Sequence, residues 1–150
     1  MTIMAENRNT TGTKFDISKE IDELRYVQQM YQNQYYILSQ QLDELTAVYA
    51  GAANTKEILG SMQSLKGKES LIPAGSGFYA TGKVSDDKNV LVPIGASYTI
   101  SMSIESAKAL LDKRSARYTK EIEKLTAAKR NAEKSINEIS YRLNELVQHT

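Results

Sequence analysis

Two stretches of this 150-residue chain place apolar residues in alternating steps of four and three, and nothing else in the sequence constrains the fold as strongly. In the first, Ile17, Ile21, Leu24, Gln28, Tyr31, Tyr35, Leu38, Leu42, Leu45, Tyr49 and Ala52 follow without a break. This is an a/d heptad seam of about five heptads, more than the three or four that mark a coiled coil. The second runs through Ile104, Ala107, Leu111, Arg114, Tyr118, Ile122, Leu125, Lys129, Ala132, Ile136, Ile139, Leu143 and Leu146. Its eleven-residue spacing from Leu111 to Ile122 is a stutter, which locally unwinds a left-handed supercoil. Arg114 and Lys129 can lay their aliphatic stems along the seam and keep their charges outside. Gln28, the plainly polar member of the first seam, reads either as a tolerated exception or as a contact that fixes register.

Glycine and proline divide the chain. Residues 1–15 are polar and aperiodic and read as a disordered tail. A coiled-coil helix is expected over 16–66, with a kink between 51 and 60 where Gly51 and Gly60 lie. Pro73, Pro93 and five glycines fall in an insert over 67–102, and a second helix free of both residue types occupies 103–150. At 1.5 Å per residue each helix would measure roughly 70–75 Å, and a compact insert between them requires an antiparallel return.

Charge favours that pairing. From Asp16 to Ala52 six acids face two bases, whereas from Ser103 onward ten bases face seven acids. Helices of opposite sign prefer each other to copies of themselves, although each exposed pair contributes at most about 1 kcal/mol. The chain ends then meet at a tip where helix ends fray, carrying Phe15, Ile17, Ile21, Leu143, Leu146 and Val147, with Ile3 and Met4 on the tail before them.

The insert reads as four short strands: one ending at Pro73, then Phe78 to Val84, Asn89 to Ile94 and Ser97 to Ser101. Ser85-Asp86-Asp87-Lys88 offers turn residues and is expected to close a hairpin between the second and third strands. Two-stranded hairpins are marginal alone and their edges invite pairing, so the insert is expected to complete its sheet with neighbouring subunits. Leu71, Ile72, Phe78, Val84, Val90, Val92, Ile94 and Tyr98 are its candidate assembly residues.

Enzyme chemistry is disfavoured. The chain has no cysteine, and its one histidine is His149, which removes thiolate sites, His triads and multi-histidine metal centres. Gly77-Phe78-Tyr79-Ala80-Thr81-Gly82-Lys83 matches most of a phosphate loop, but Val84 stands where a hydroxyl must bind magnesium and a strand follows instead of a helix. No cofactor is expected. A net charge of +1 gives no case for nucleic acid, and the tyrosines of the first segment sit largely on its seam. No apolar run is long enough for a membrane span or a signal peptide, so a cytoplasmic protein is expected.

The stretch Leu71-Ile72-Pro73-Ala74-Gly75-Ser76-Gly77-Phe78-Tyr79-Ala80-Thr81-Gly82-Lys83-Val84, followed by Val90-Leu91-Val92-Pro93-Ile94-Gly95-Ala96-Ser97-Tyr98 and set between heptads, resembles the insert of an α-type prefoldin subunit. Pro93 departs from the pattern, since a plainer strand residue would be expected there. The resemblance implies a mainly α fold with a small β insert: a long antiparallel two-helix coiled coil joined by two β-hairpins that assemble into an intersubunit β-barrel. It further implies two α-type chains with four β-type partners, ATP-independent capture of non-native protein clients at the coiled-coil tips, and delivery to a group II chaperonin. The alternative is a structural coiled-coil tether or a filament-forming prefoldin-like chain.

Overall fold

The computed structural model describes the backbone of residues 2–149 and the side chains of 12–149. Its elements are α1 (Thr2–Gly60), α2 (Met62–Leu65), β1 (Glu69–Gly75), β2 (Phe78–Lys83), β3 (Asn89–Gly95), β4 (Tyr98–Ser103) and α3 (Ile104–Gln148). Where a tail is expected, α1 already begins at Thr2. Extending an existing helix costs far less than nucleating one, so the weak helix formers Asn7, Asn9, Thr10, Thr11, Gly12 and Thr13 can be carried in a helix already formed further along. Through 51–60, where a kink is expected, α1 stays helical and continues to Gly60. The break comes at Ser61, whose N–H bonds the Ile58 carbonyl at 3.0 Å.

The chain divides into two compact units, one of Met1–Glu44 with Ile122–Thr150 and one of Leu45–Glu121. In the first, α1 and α3 pair antiparallel: Glu20 meets Arg142, Gln28 meets Ser140 and Tyr35 meets Lys129. Every seam residue from Ile17 to Leu42 and from Ile122 to Leu146 is at least half-buried, with Ala132 and Leu146 fully so. Outside the seam Tyr26, Met30, Tyr36 and Ile37 are exposed. Heptad spacing predicts this partition because steps of three and four return side chains to one helix face.

In the second unit the helices are again antiparallel, with Lys56 Nζ 2.6 Å from Asp112 Oδ1. This ion pair reverses the acid-to-base polarity of Glu20 and Arg142. Ser103 caps α3, its Oγ accepting the N–H of Ser106 at 3.1 Å.

The four strands form two separate two-stranded sheets, β1 with β2 and β3 with β4. Ser85–Lys88 is therefore a connection between hairpins and not the hairpin turn expected from its composition. Asp86 Oδ1 accepts the N–H groups of Lys88 at 2.8 Å and Asn89 at 3.1 Å, so the acid shapes a local loop that leads into β3. The reversals lie elsewhere, at Ser76-Gly77 and Ala96-Ser97, where both residues of each pair have positive φ. Such two-residue turns match the twist of the strands they join. Each hairpin also carries a bulge, between Pro73 and Gly75 and between Pro93 and Gly95.

The hairpins repeat one another with a constant offset of twenty residues, from Glu69–Gly75 to Asn89–Gly95 and from Phe78–Lys83 to Tyr98–Ser103. Pro93 thus occupies the place of Pro73, beside the equivalent bulge. What reads as an anomaly in a strand is the second copy of a bulge device, which spares the ladder a donor that proline lacks.

Candidate functional site

Near the C-terminal end of α3, the first unit brings α3 against the Glu20 region of α1. Arg142 binds Glu20 through Nη2 at 3.1 Å and Glu145 through Nη1 at 3.4 Å, and these carboxylates raise the guanidinium's pKa further. Around this exposed ion cluster the proposed tip residues sort into three environments. Ile17, Ile21 and Leu143 are half-buried in the seam. Leu146 is only 6% exposed and closes the coil, so it offers no surface to a client. Phe15 is 71% exposed, and Val147, adjacent to Leu146, is also exposed. The side chains of Ile3 and Met4 lie outside the described residues.

The second unit holds the insert. Leu71, Ile72, Phe78, Ile94 and Tyr98 are exposed, and Val84 and Val90 are half-buried. Val92, at 9% exposure, belongs to the chain's own core. It lies in a cleft of about 340 Å³ with Thr55, Leu59, Ala107, Leu110 and Leu111, where Arg114 Nη2 donates to the Pro93 carbonyl at 3.4 Å. The Arg114 charge therefore turns toward β3 instead of leaving the seam for solvent. Three exposed residues, Tyr79, Leu91 and Ile100, are absent from the sequence-based set. Strict alternation selects Val90 and Val92 and passes over Leu91, the most exposed of all at 75%.

In the register of the first hairpin, Leu71 and Tyr79 lie on one face and Ile72 and Phe78 on the other. All four are exposed. Such a strand pair has uncovered apolar side chains on both faces and one hydrogen-bonded neighbour per strand, so each strand keeps an open edge. A Cβ built on Gly82 would lie 2.7 Å from Ile72 Cδ1, so Ile72 folds across that glycine and any larger residue there would displace it.

Gly77 lies in the β1–β2 turn and Phe78–Lys83 is strand β2, so the phosphate-loop-like run lacks the helix N-terminus that would cradle phosphate. Among the described residues no group of three or more His, Asp or Glu is placed to hold a metal. No described helix is long and apolar enough to cross a membrane.

Paired antiparallel helices with an insert of two β-hairpins, the first exposing apolar side chains on both faces, define the architecture, and comparison with known proteins gives its family, one of chaperone-type subunits. Residues 31–149 match the family described as Prefoldin subunit, and the chain belongs to that family. It is 32% identical over 133 residues to prefoldin subunit alpha of Pyrococcus horikoshii, covering 87% of this chain and 90% of the relative. To prefoldin subunit alpha 1 of Thermococcus kodakarensis it is 34% identical over 102 residues, 67% of this chain and 70% of that one. Human prefoldin subunit 5 is 28% identical, with 72% of this chain and 71% of the relative aligned. The fold is also that of filamentous PFD from Methanocaldococcus jannaschii, solved by cryo-electron microscopy, with a TM-score of 0.52, 24% identity and coverage of 81% of this chain and 96% of that one. Prefoldin subunits are non-enzymatic and assemble as hetero-oligomers.

Proposed function

We propose that this chain is the α-type subunit of an ATP-independent co-chaperone, which holds non-native proteins at its coiled-coil tip and passes them to a group II chaperonin. The observation that carries the reading is the exposure of Phe15 and Val147 beside the covered Leu146, near the Glu20–Arg142 ion pair that links α1 to the last turns of α3. Exposed apolar groups there can receive apolar segments of an unfolded client while the seam beneath stays closed. A large apolar side chain contributes about 1.5–3 kcal/mol when fully buried, so one contact is weak and reversible. Several tips acting on one client raise avidity without making any contact permanent.

Several tips require several chains, and the hairpins support this. Two α-type and four β-type subunits sharing a β-barrel would cover the apolar faces of β1 and β2 and satisfy the open strand edges. The test is suppression of client aggregation without nucleotide by the complex co-expressed with a β-type subunit. Deleting residues 1–21 and 143–150 should abolish suppression and preserve assembly; undiminished suppression would refute the tip assignment. The same hairpins could join copies of this chain into a filament, the assembly named for the Methanocaldococcus jannaschii relative. Mass measurement separates the two, since a defined hetero-oligomer favours the co-chaperone and an open ladder the filament.

A further inference from the structure

Gln28 is the plainly polar member of an otherwise apolar seam on α1, and the structure gives it a partner on the facing helix. Its Nε2 donates to Ser140 Oγ at 2.7 Å, and both residues are half-buried. We infer that Gln28 and Ser140 form a register pin, a polar pair that fixes which turn of α3 lies against which turn of α1.

An apolar heptad seam is nearly degenerate to slippage by seven residues, because leucine and isoleucine recur at each repeat. Slippage in one direction would set Gln28 against Val147 and Ser140 against Tyr35. In the other, Gln28 would face Glu133 and Ser140 would face Ile21. In each case one polar group meets an apolar side chain and loses its hydrogen bond, which is costly for a group withdrawn from water. The observed register also places Lys129 Nζ 5.1 Å from the centre of the Tyr35 ring, a contact that either slip would break.

The pin lies three residues from Leu143 and six from Leu146 along α3. A one-heptad slip would carry these residues about 10 Å along α1 and change which apolar groups are covered. Gln28 and Ser140 are therefore positioning residues for the tip, a consequence that rests on the function proposed above; the pin itself does not.

Because the chain has no cysteine, register can be read by pairs of introduced thiols and a short thiol-to-thiol crosslinker. Glu20→Cys with Arg142→Cys reports the observed register, and Glu20→Cys with His149→Cys or Ser135→Cys reports the two slips. The full chain is crosslinked in its assembled state, and intrachain products are identified by peptide mass. With Gln28 and Ser140 in place only the first pair should react efficiently. In the Gln28→Leu/Ser140→Ala background the slipped pairs should rise by about tenfold or more, in keeping with the loss of one half-buried hydrogen-bonded pair. The thermal midpoint should hold or rise, since the α1 seam then keeps no plainly polar residue. Slipped pairs that stay at background in that variant would overturn the pin, whatever the midpoint does. If slipped pairs appear while client suppression is unchanged, the pin stands and the tip assignment is what fails.

Discussion

Leu146 and Val147 are neighbours on α3 with opposite fates, and the difference is about 100° of helix rotation. Leu146 returns to the seam and is buried, whereas Val147 faces solvent. Leu146→Ala is expected to cost about 2–4 kcal/mol, within the range for truncating a buried leucine. Val147→Ala should change stability by less than about 0.5 kcal/mol, as exposed substitutions do. Thermal unfolding separates the two, and an equal loss for both would contradict the assigned burial. Asp86 makes a different residue-scale prediction. The backbone N–H groups of Lys88 and Asn89 lower its carboxyl pKa, with smaller help from the Asn89 side chain and Lys66. A carboxylate depressed in the folded state stabilises above its unfolded pKa of about 3.9, and that contribution fades as pH falls through the folded value. The midpoint difference between the natural chain and Asp86→Asn should be constant from about pH 5 to 7 and shrink below about pH 4. A difference that persists unchanged at about pH 3 would refute it.

Among the elements, the hairpin turns are the most informative. Both use two residues with positive φ, but the first supplies Ser76-Gly77 and the second Ala96-Ser97, which has no glycine. A non-glycine residue in the left-handed region costs roughly 1–2 kcal/mol. Ser97→Gly should therefore stabilise the β3–β4 hairpin by up to about 1 kcal/mol, read as slower amide exchange across β3 and β4. Exchange that quickens would show that Ser97 has a compensating contact. The twenty-residue repeat was legible in the sequence, since Leu71-Ile72-Pro73-Ala74-Gly75 and Leu91-Val92-Pro93-Ile94-Gly95 share their leucine, proline and glycine at equal spacing. Turn composition pointed instead to Ser85–Lys88, because Asp and Ser favour several kinds of loop and carry no information on which strands lie on either side.

For the molecule as a whole, the exposed apolar hairpins set the expected behaviour. Phe78→Glu with Leu71→Glu would place charges on both faces of the β1–β2 hairpin. The variant should fail to enter a complex with a β-type subunit, measured by mass, while retaining the helical circular dichroism signal of the natural chain. Retained assembly would show that this hairpin is not the shared element. The helices should be indifferent, because their seam residues, Tyr49 apart, are covered within their own pairings. Opposite charge on the two helices is a weaker organiser than composition suggests. Glu20–Arg142 follows the expected polarity, Lys56–Asp112 reverses it, and both are exposed pairs of small energetic consequence.

Periodicity determined the two long helices from residue 16 onward and the side each seam presents, because a helix face is fixed by local geometry that every residue carries with it; their antiparallel return followed from the compact insert between them. The glycines and prolines likewise marked where the strands had to lie. Tertiary structure decided what depends on the facing element: that Gln28 has Ser140 as its partner, that Val92 is covered while Leu91 is not, and that Arg114 turns toward β3. These are properties of contacts between residues far apart in the chain, and no residue encodes its partner's position.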